Sequence, residues 1–345
     1  MKALIDRLAE QHTLSADEYQ TLLTEATAED AAYLAARARA VRESVYGKDV
    51  YVRGLIEVTN ICKNDCYYCG IRASNKNCDR YRLSEEDILE CCRVGYGLGF
   101  RTFVLQGGED GYFTDARLVP LLQRIKAEHP DCAVTLSLGE RSFASYKALR
   151  EAGADRYLLR HETADAAHYA KLHPEDLSWE NRMECLENLR TLGYQVGCGF
   201  MVGSPYQTVE MLVKELQFIE SFKPDMCGIG PFIPHKDTVF RDHAAGSVDK
   251  TALLLSCIRL IHPNVLLPAT TALGTLETDG RERGILAGAN VVMPNLSPAS
   301  VRKKYMLYDN KLSDGAEAAE SLDALKKRIA TIGYTVVTAK GDVKR

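Results

Sequence analysis

Apolar and polar positions alternate along this chain on two different periods. Short runs rich in β-branched and aromatic residues occur at 52–59 (VRGLIEVT), 101–106 (RTFVLQ), 132–137 (CAVTLS), 155–159 (DRYLL), 196–202 (VGCGFMV), 225–229 (DMCGI), 264–268 (NVLLP) and 289–293 (ANVVM). Such runs read as buried strands. After each comes a longer stretch with the spacing of an amphipathic helix: 84–98, 115–128, 143–152, 178–192, 208–222, 249–262, 280–287 and 299–307. Ser84 with Asp87 opens the first of these with a capping-box pattern. Residues 1–46 read as two further helices. Ser15 with Glu18 and Thr27 with Asp30 repeat the pattern there, and Gly47 suits a stop. A last helical stretch covers 319–333.

Strict alternation of strand and helix implies parallel strands, because a parallel connection needs a crossover. Eight such units suffice to close an α/β barrel of the (β/α)8, TIM type. An open doubly wound sheet has the same periodicity. The expected division is an N-terminal helical segment at 1–47, the barrel at 48–310 and a C-terminal extension at 311–345. The strands lead into CKNDCYYCG (62–70), GGED (107–110), LGE (138–140), RHET (160–163), GSP (203–205), GPFIPH (230–235), ATTALGT (269–275) and PNLS (294–297). In a barrel these exits share one face, where such folds carry active sites. Loops are polar in any fold, but charged residues directly at the strand ends favour an active face.

The 345 residues are 46% hydrophobic and 26% charged, with a formal net charge of −4. That is globular composition. Neither a basic excess nor a basic aromatic stripe points to nucleic acid or an anionic membrane as a partner. No apolar run reaches the ~18 residues of a membrane helix, and Asp6 and Glu10 interrupt any secretory signal core. A cytoplasmic, soluble protein is expected. There is no G-x4-G-K-[ST] loop and no G-x-S-x-G elbow. GCGFMVG (197–203) has the wrong spacing for a dinucleotide fingerprint, and His161-Glu162 is followed by Asp165 where a zinc protease needs histidine.

Eleven cysteines are present, and three of them, Cys62, Cys66 and Cys69, crowd into the first strand exit. Without an export signal a disulfide framework is not expected. Three thiolates on one loop can converge on zinc or on an iron–sulfur cluster. Cys78 and His161 are candidates for a fourth ligand. With three ligands only, a cubane cluster keeps one iron open for a chelating small molecule. Cys91, Cys92, Cys132, Cys185, Cys198, Cys227 and Cys257 fall within helical or strand patterns and read as small apolar residues.

C-x3-C-x2-C after the first strand, with aromatic Tyr68 before the third cysteine, resembles the signature of the radical S-adenosylmethionine (radical SAM) superfamily. Within it the chain is most similar to the HydE family of FeFe-hydrogenase maturases, over about residues 50–308. The carrying stretches include RGLIEVTNICKNDCYYCGIR (53–72), LQGGED (105–110), TLSLGE (135–140), AGADRYLLRHETA (152–164), MVGSPYQT (201–208), DMCGIGPFIPH (225–235) and PATTALGT (268–275). Methylornithine synthase and biotin synthase look like more distant relatives.

The resemblance implies a 4Fe–4S cluster on Cys62, Cys66 and Cys69, with SAM on its open iron. Reductive cleavage of SAM to a 5′-deoxyadenosyl radical follows, fed by an external electron donor. Tyr68 would lie near the adenine, Gln106, Gly107 and Gly108 near the amino group, and Arg160, Glu162 and Arg182 against the polar parts of SAM. Thr135, Arg156, Met226, Pro268, Thr270, Thr271 and Tyr305 resemble the positions that line the substrate cavity. Arg156 stands alone in a strand pattern, where it needs either an anionic ligand or an acid such as Glu140. The implied substrate is an iron–cysteine complex with carbonyl and cyanide ligands, supplied by HydG and passed toward HydF. One departure is plain. Many HydE sequences hold an auxiliary cluster on three C-terminal cysteines, and the matching stretch here, 311–327, has none. That leaves room for another radical substrate. A zinc-stabilised, non-catalytic ligand-binding barrel is the alternative from a different class.

Overall fold

The computed structural model describes residues 1–313 and 318–345; residues 314–317, within the expected C-terminal extension, lie outside the described residues. Six strands, Gly54–Thr59, Thr102–Gly107, Ala133–Ser137, Arg156–Leu158, Gln195–Cys198 and Met226–Cys227, pair in parallel in chain order. Two thinner staves complete the ring. Leu266 bridges Met226, Pro268 bridges Val291, and Asn295 bridges Leu55 of the first strand. The Leu55 amide donates to Pro294 O (2.9 Å) and the Leu296 amide to Leu55 O (2.7 Å). The sheet therefore closes as a barrel and is not an open doubly wound sheet.

The expected strands at 264–268 and 289–293 shrink to bridges and to Val291–Val292. Pro268 and Pro294 carry no amide hydrogen and interrupt the ladder. The first expected run divides at Arg53 into Asp49–Val52 and Gly54–Thr59. Asp49–Val52 lies between Val291–Val292 and Thr335–Val337, a strand that the pattern of the tail did not suggest.

Helices occur in all eight expected intervals, but the last is only Ala299–Arg302. Residues 303–312 run instead as an irregular strap over the barrel mouth. Asn60 Nδ2 donates to Lys304 O (2.7 Å), the Gly70 amide to Leu307 O (2.8 Å) and the Asp309 amide to Pro234 O (3.1 Å). Ala166–Leu172 and Thr271–Leu276 are additional short helices. The N-terminal segment holds three helices rather than two: Lys2–Gln11, Ala16–Glu25 and Ala28–Tyr46. His12, in the left-handed conformation (φ 61°), ends the first, and both expected capping boxes form.

Strand residues alternate between the two faces of the barrel wall. One parity, including Ile56, Val58, Phe103, Leu105, Val134 and Leu136, joins the helices in the main apolar core. The other parity fills the barrel in layers. Glu57, Gln106 and Ser137, in register on the first three strands, line the cavity together with Arg160. Leu55, Val104 and Thr135 precede them by two residues on the same strands, and Arg53, Thr102, Arg156 and Gln195 meet the C-terminal tail, which marks the floor. Residues 340–345 seal that floor. Arg156 Nη2 donates to Asp342 Oδ1 (2.6 Å) and Lys340 O (2.9 Å), and Nη1 to Thr102 Oγ1 (3.1 Å). Gln195 Nε2 also donates to Asp342 (2.8 Å).

Arg156 is completely buried, so its donors need acceptors more than Asp342, half-exposed, needs a cation. Asp342→Ala leaves part of the guanidinium unpartnered. It is expected to destabilise the fold by about 1–3 kcal/mol, read as a lower urea midpoint with an unchanged slope.

Candidate active site

The upper ends of the strands open into a cavity of about 340 Å³. Cys62, Cys66 and Cys69 line one side of it. Their loop is tied down at several points. The Lys63 amide donates to Glu109 O (3.0 Å), the Tyr67 amide to Leu172 O (3.0 Å) and the Cys69 amide to Cys66 O (3.3 Å). Arg72 clamps Asp65 with two bonds of 2.7 and 2.6 Å. Gly108, at the second exit, lies against this loop, while Gly107 packs on Val58 and Thr59 at the end of the first strand. A Cβ on Gly108 would sit 2.3 Å from Ile61 O and 2.7 Å from Cys62 Cβ, so no side chain fits there.

Burial dominates the acidity of the three thiols. It pushes Cys66 up to about 12, with the Cys62 thiol adding to the rise. Burial also raises Cys69 well above its ordinary value, and Cys62 to a smaller extent. The backbone amides of Asn64 and Glu109 face Cys62 and oppose that rise. Thiols so placed ionise only when a cation compensates them. Among the described residues, no three His, Cys, Asp or Glu side chains gather around a position for one metal ion. Cys78 and His161 do not line the cavity. Cys78 Sγ accepts from Asn60 Nδ2 (3.5 Å), and His161 Nε2 lies 2.7 Å from Glu215 Oε2.

The wall beside the thiols is polar. Arg182 Nε donates to Glu140 Oε1 (2.5 Å) and Nη1 to Arg160 O (2.6 Å). Glu140 thus serves Arg182 and not Arg156. Arg160 Nε stands 3.3 Å from Glu162 Oε1, without hydrogen-bonding geometry. Arg160 Nη2 and Glu162 Oε2 are buried with no hydrogen-bond partner. A guanidinium and a carboxylate with unused donors and acceptors in one cavity suit a ligand carrying both an anion and hydroxyl groups. Tyr68 Oη lies 3.1 Å from His173 Nε2. His173 Nδ1 faces Tyr169 O (3.0 Å) and must donate to it, so Nε2 accepts from the tyrosine. Burial holds His173 down at about 3, which keeps it neutral.

The cavity also takes in Gln106, Gly107, Gly108, Pro268, Thr270, Thr271 and Tyr305. Thr270 Oγ1 is buried without a hydrogen-bond partner. Thr135, Arg156 and Met226 do not line it. They belong to the lower layers, where Arg156 pairs with Asp342 and the Met226 sulfur lies 2.6 Å from Arg53 Nη1. Sequence reasoning passed over Glu57 and Lys311, which both line the cavity and form a buried ion pair of 2.7 Å. The signal for Glu57 was present: a single acid in the run LIEVT.

The model of the radical SAM superfamily matches residues 56–219. The [FeFe] hydrogenase maturase subunit HydE of Thermotoga maritima is 43% identical over 293 residues, which is 85% of this chain and 83% of that protein. The 3-methylornithine synthase of Methanosarcina acetivorans is 30% identical over 330 residues, 95% of this chain and 92% of that one. The crystal structure of methylornithine synthase (PylB) superposes with a TM-score of 0.86 at 29% identity, covering 97% of both chains.

The contact between Gly108 and the cysteine loop can be tested directly. Gly108→Ala forces Ile61 or the second strand exit to move, at a cost of about 1–3 kcal/mol. After anaerobic reconstitution the variant is expected to hold at most half the iron of the parent chain, while its far-ultraviolet circular dichroism is unchanged. Full iron content would show that the glycine is not needed for the loop's geometry.

Proposed function

The chain belongs to the radical SAM superfamily and is an enzyme of it, and on that premise we propose that it acts in assembly of the FeFe-hydrogenase active site, as HydE does. Cys62, Cys66 and Cys69 would each hold one iron of a 4Fe–4S cluster. In a cubane every thiolate binds its own iron, so the sulfurs need not crowd around a single ion as a zinc site demands. The residues fit SAM on the open iron. The unpartnered Arg160 Nη2 and Glu162 Oε2 supply a donor for its carboxylate and an acceptor for its ribose hydroxyls. Gly107 and Gly108 let backbone carbonyls approach its ammonium group, with Gln106 beside them. Tyr68, oriented by His173, offers a flat face near the adenine, and Arg182 fixes the Arg160 carbonyl from behind. When bound, the pair supplies reductive cleavage of SAM to methionine and a 5′-deoxyadenosyl radical.

The substrate would occupy the part of the cavity lined by Pro268, Thr270, Thr271 and Tyr305. An iron–cysteine complex with carbonyl and cyanide ligands, delivered by HydG and passed toward HydF, is the substrate that the kinship supports. The observation that carries this reading is the 43% identity to HydE over 85% of the chain, joined to three cavity-lining cysteines. A second reading, synthesis of 3-methylornithine, draws on the fuller coverage of that relative and on the absence of cysteine from 311–327. No helix among the described residues is long and apolar enough to cross a membrane.

Anaerobic reconstitution with iron and sulfide is expected to load about four irons per chain. With a reductant, the loaded protein is expected to release 5′-deoxyadenosine from SAM. Cys66→Ala should abolish that release. Supplying the HydG product separates the two readings: consumption of it supports the maturase reading, whereas formation of 3-methylornithine supports the second. Zinc as the only bound metal, with SAM left intact, would sink both.

A further inference from the structure

The segment Arg160–Ala164 carries the two side chains with unpartnered polar atoms, and its backbone is unusual. Glu162 has φ 65°, a left-handed conformation that costs a non-glycine residue about 1–2 kcal/mol. Such a conformation persists only where its surroundings over-determine it. Here they do. The Glu162 amide donates to Gly199 O (3.0 Å), Trp179 Nε1 to Thr163 O (3.0 Å) and Arg182 Nη1 to Arg160 O (2.6 Å). Thr163 Oγ1 also accepts from the Asp165 amide (3.2 Å), and a further anchor is one carboxylate from outside the barrel wall. Glu215, on the helix Val209–Phe222, is completely buried. Its Oε1 accepts from the Ala164 amide (2.7 Å), and its Oε2 faces His161 Nε2 at 2.7 Å.

The histidine tautomer is fixed by its other side. The Gly199 amide points at His161 Nδ1 (3.2 Å), so Nδ1 accepts and Nε2 carries the hydrogen that Glu215 receives. Gly199 therefore holds both His161 and Glu162, and Glu215 holds both His161 and Ala164. We propose that Glu215 is a positioning residue for SAM, acting through His161 to keep Glu162 in its left-handed conformation with its carboxylate at the cavity wall. It touches neither cofactor nor reacting atoms. The inference rests on the reading that Glu162 receives SAM.

The arrangement has no tolerance for a neutral isostere. In Glu215→Gln one oxygen becomes an amide NH2 and meets either the Ala164 N–H or the His161 N–H, donor against donor. The test is calorimetric titration of SAM into anaerobically reconstituted protein, with iron content and melting temperature followed in parallel. Glu215→Gln is expected to weaken SAM binding about tenfold at unchanged iron content, raising KM more than it lowers kcat. In a Glu162→Ala background the same substitution should change the affinity by less than about twofold, because the residue it acts through is gone. An equal loss in both backgrounds, or none in either, overturns the proposal. If Glu162→Ala alone leaves SAM binding intact, the assignment of Glu162 fails instead. Should Glu215→Gln not fold, the pair His161→Gln and His161→Leu replaces it. The glutamine keeps a donor for Glu215 and should stay within about threefold of the parent chain, the leucine should lose about tenfold, and equal losses would overturn the proposal.

Discussion

Closing eight parallel staves into a ring takes most of each inward-facing side chain out of bulk water. Each inward polar group must then find a partner within the barrel, at its plug or in a ligand, because a buried unsatisfied group costs about 1–3 kcal/mol. The layers of this barrel answer that demand differently. In the floor, the Arg156 guanidinium is taken up by the tail at Asp342 and Lys340. Near the mouth, Glu57 is taken up by Lys311 and Asn295. Along the thiol wall, Arg160 and Glu162 keep unpartnered atoms. Arg53 Nε in the floor is likewise without a hydrogen-bond partner, but it lies away from the cavity, whereas Arg160 and Glu162 line it.

Much of this is visible in the letters of the chain, and the reason is local. Capping boxes at Ser15, Thr27 and Ser84 act over three residues and form as expected. The alternation of strands and helices follows from burial on two periods. C-x3-C-x2-C announces a metal-binding loop because its ligands are neighbours in sequence. Where proline removes a ladder donor, at 268 and 294, the apolar run still reads as a strand although the backbone forms only isolated bridges and the two-residue strand Val291–Val292.

Depth within the barrel is much harder to read. Thr135, Arg156 and Met226 have inward parity, but parity does not say how far below the mouth a residue lies. Arg156 is four residues before Arg160 on the same stave, so one reaches the floor and the other the cavity. The partner of Arg156 comes from the tail at 340–342, distant in sequence and without a periodic signal. Glu215 is hidden for a related reason. On a helix pattern it reads as one more surface acid, and only the packed structure turns it inward against His161.

The strap over the cavity meets the same demand through contacts on both sides of the mouth. Here the strap 303–312 is tied by hydrogen bonds and ion pairs: Lys304 with Asp79 at 2.8 Å, Lys236 N–H to Asp309 at 2.9 Å, and Lys311 with Glu57 at 2.7 Å. The last of these is buried on both sides, and burying two charges gains little net stability over an apolar contact. What the pair does provide is register, since Glu57 on the first strand accepts the Lys311 ammonium at one height of the barrel. That height also sets Tyr305, whose ring lies 5.3 Å from the same ammonium and whose hydroxyl faces Gln106 at 3.5 Å. The strap is thereby a wall of the cavity as well as its cover, and its position is set by a charge on the strand that leads into the cysteine loop.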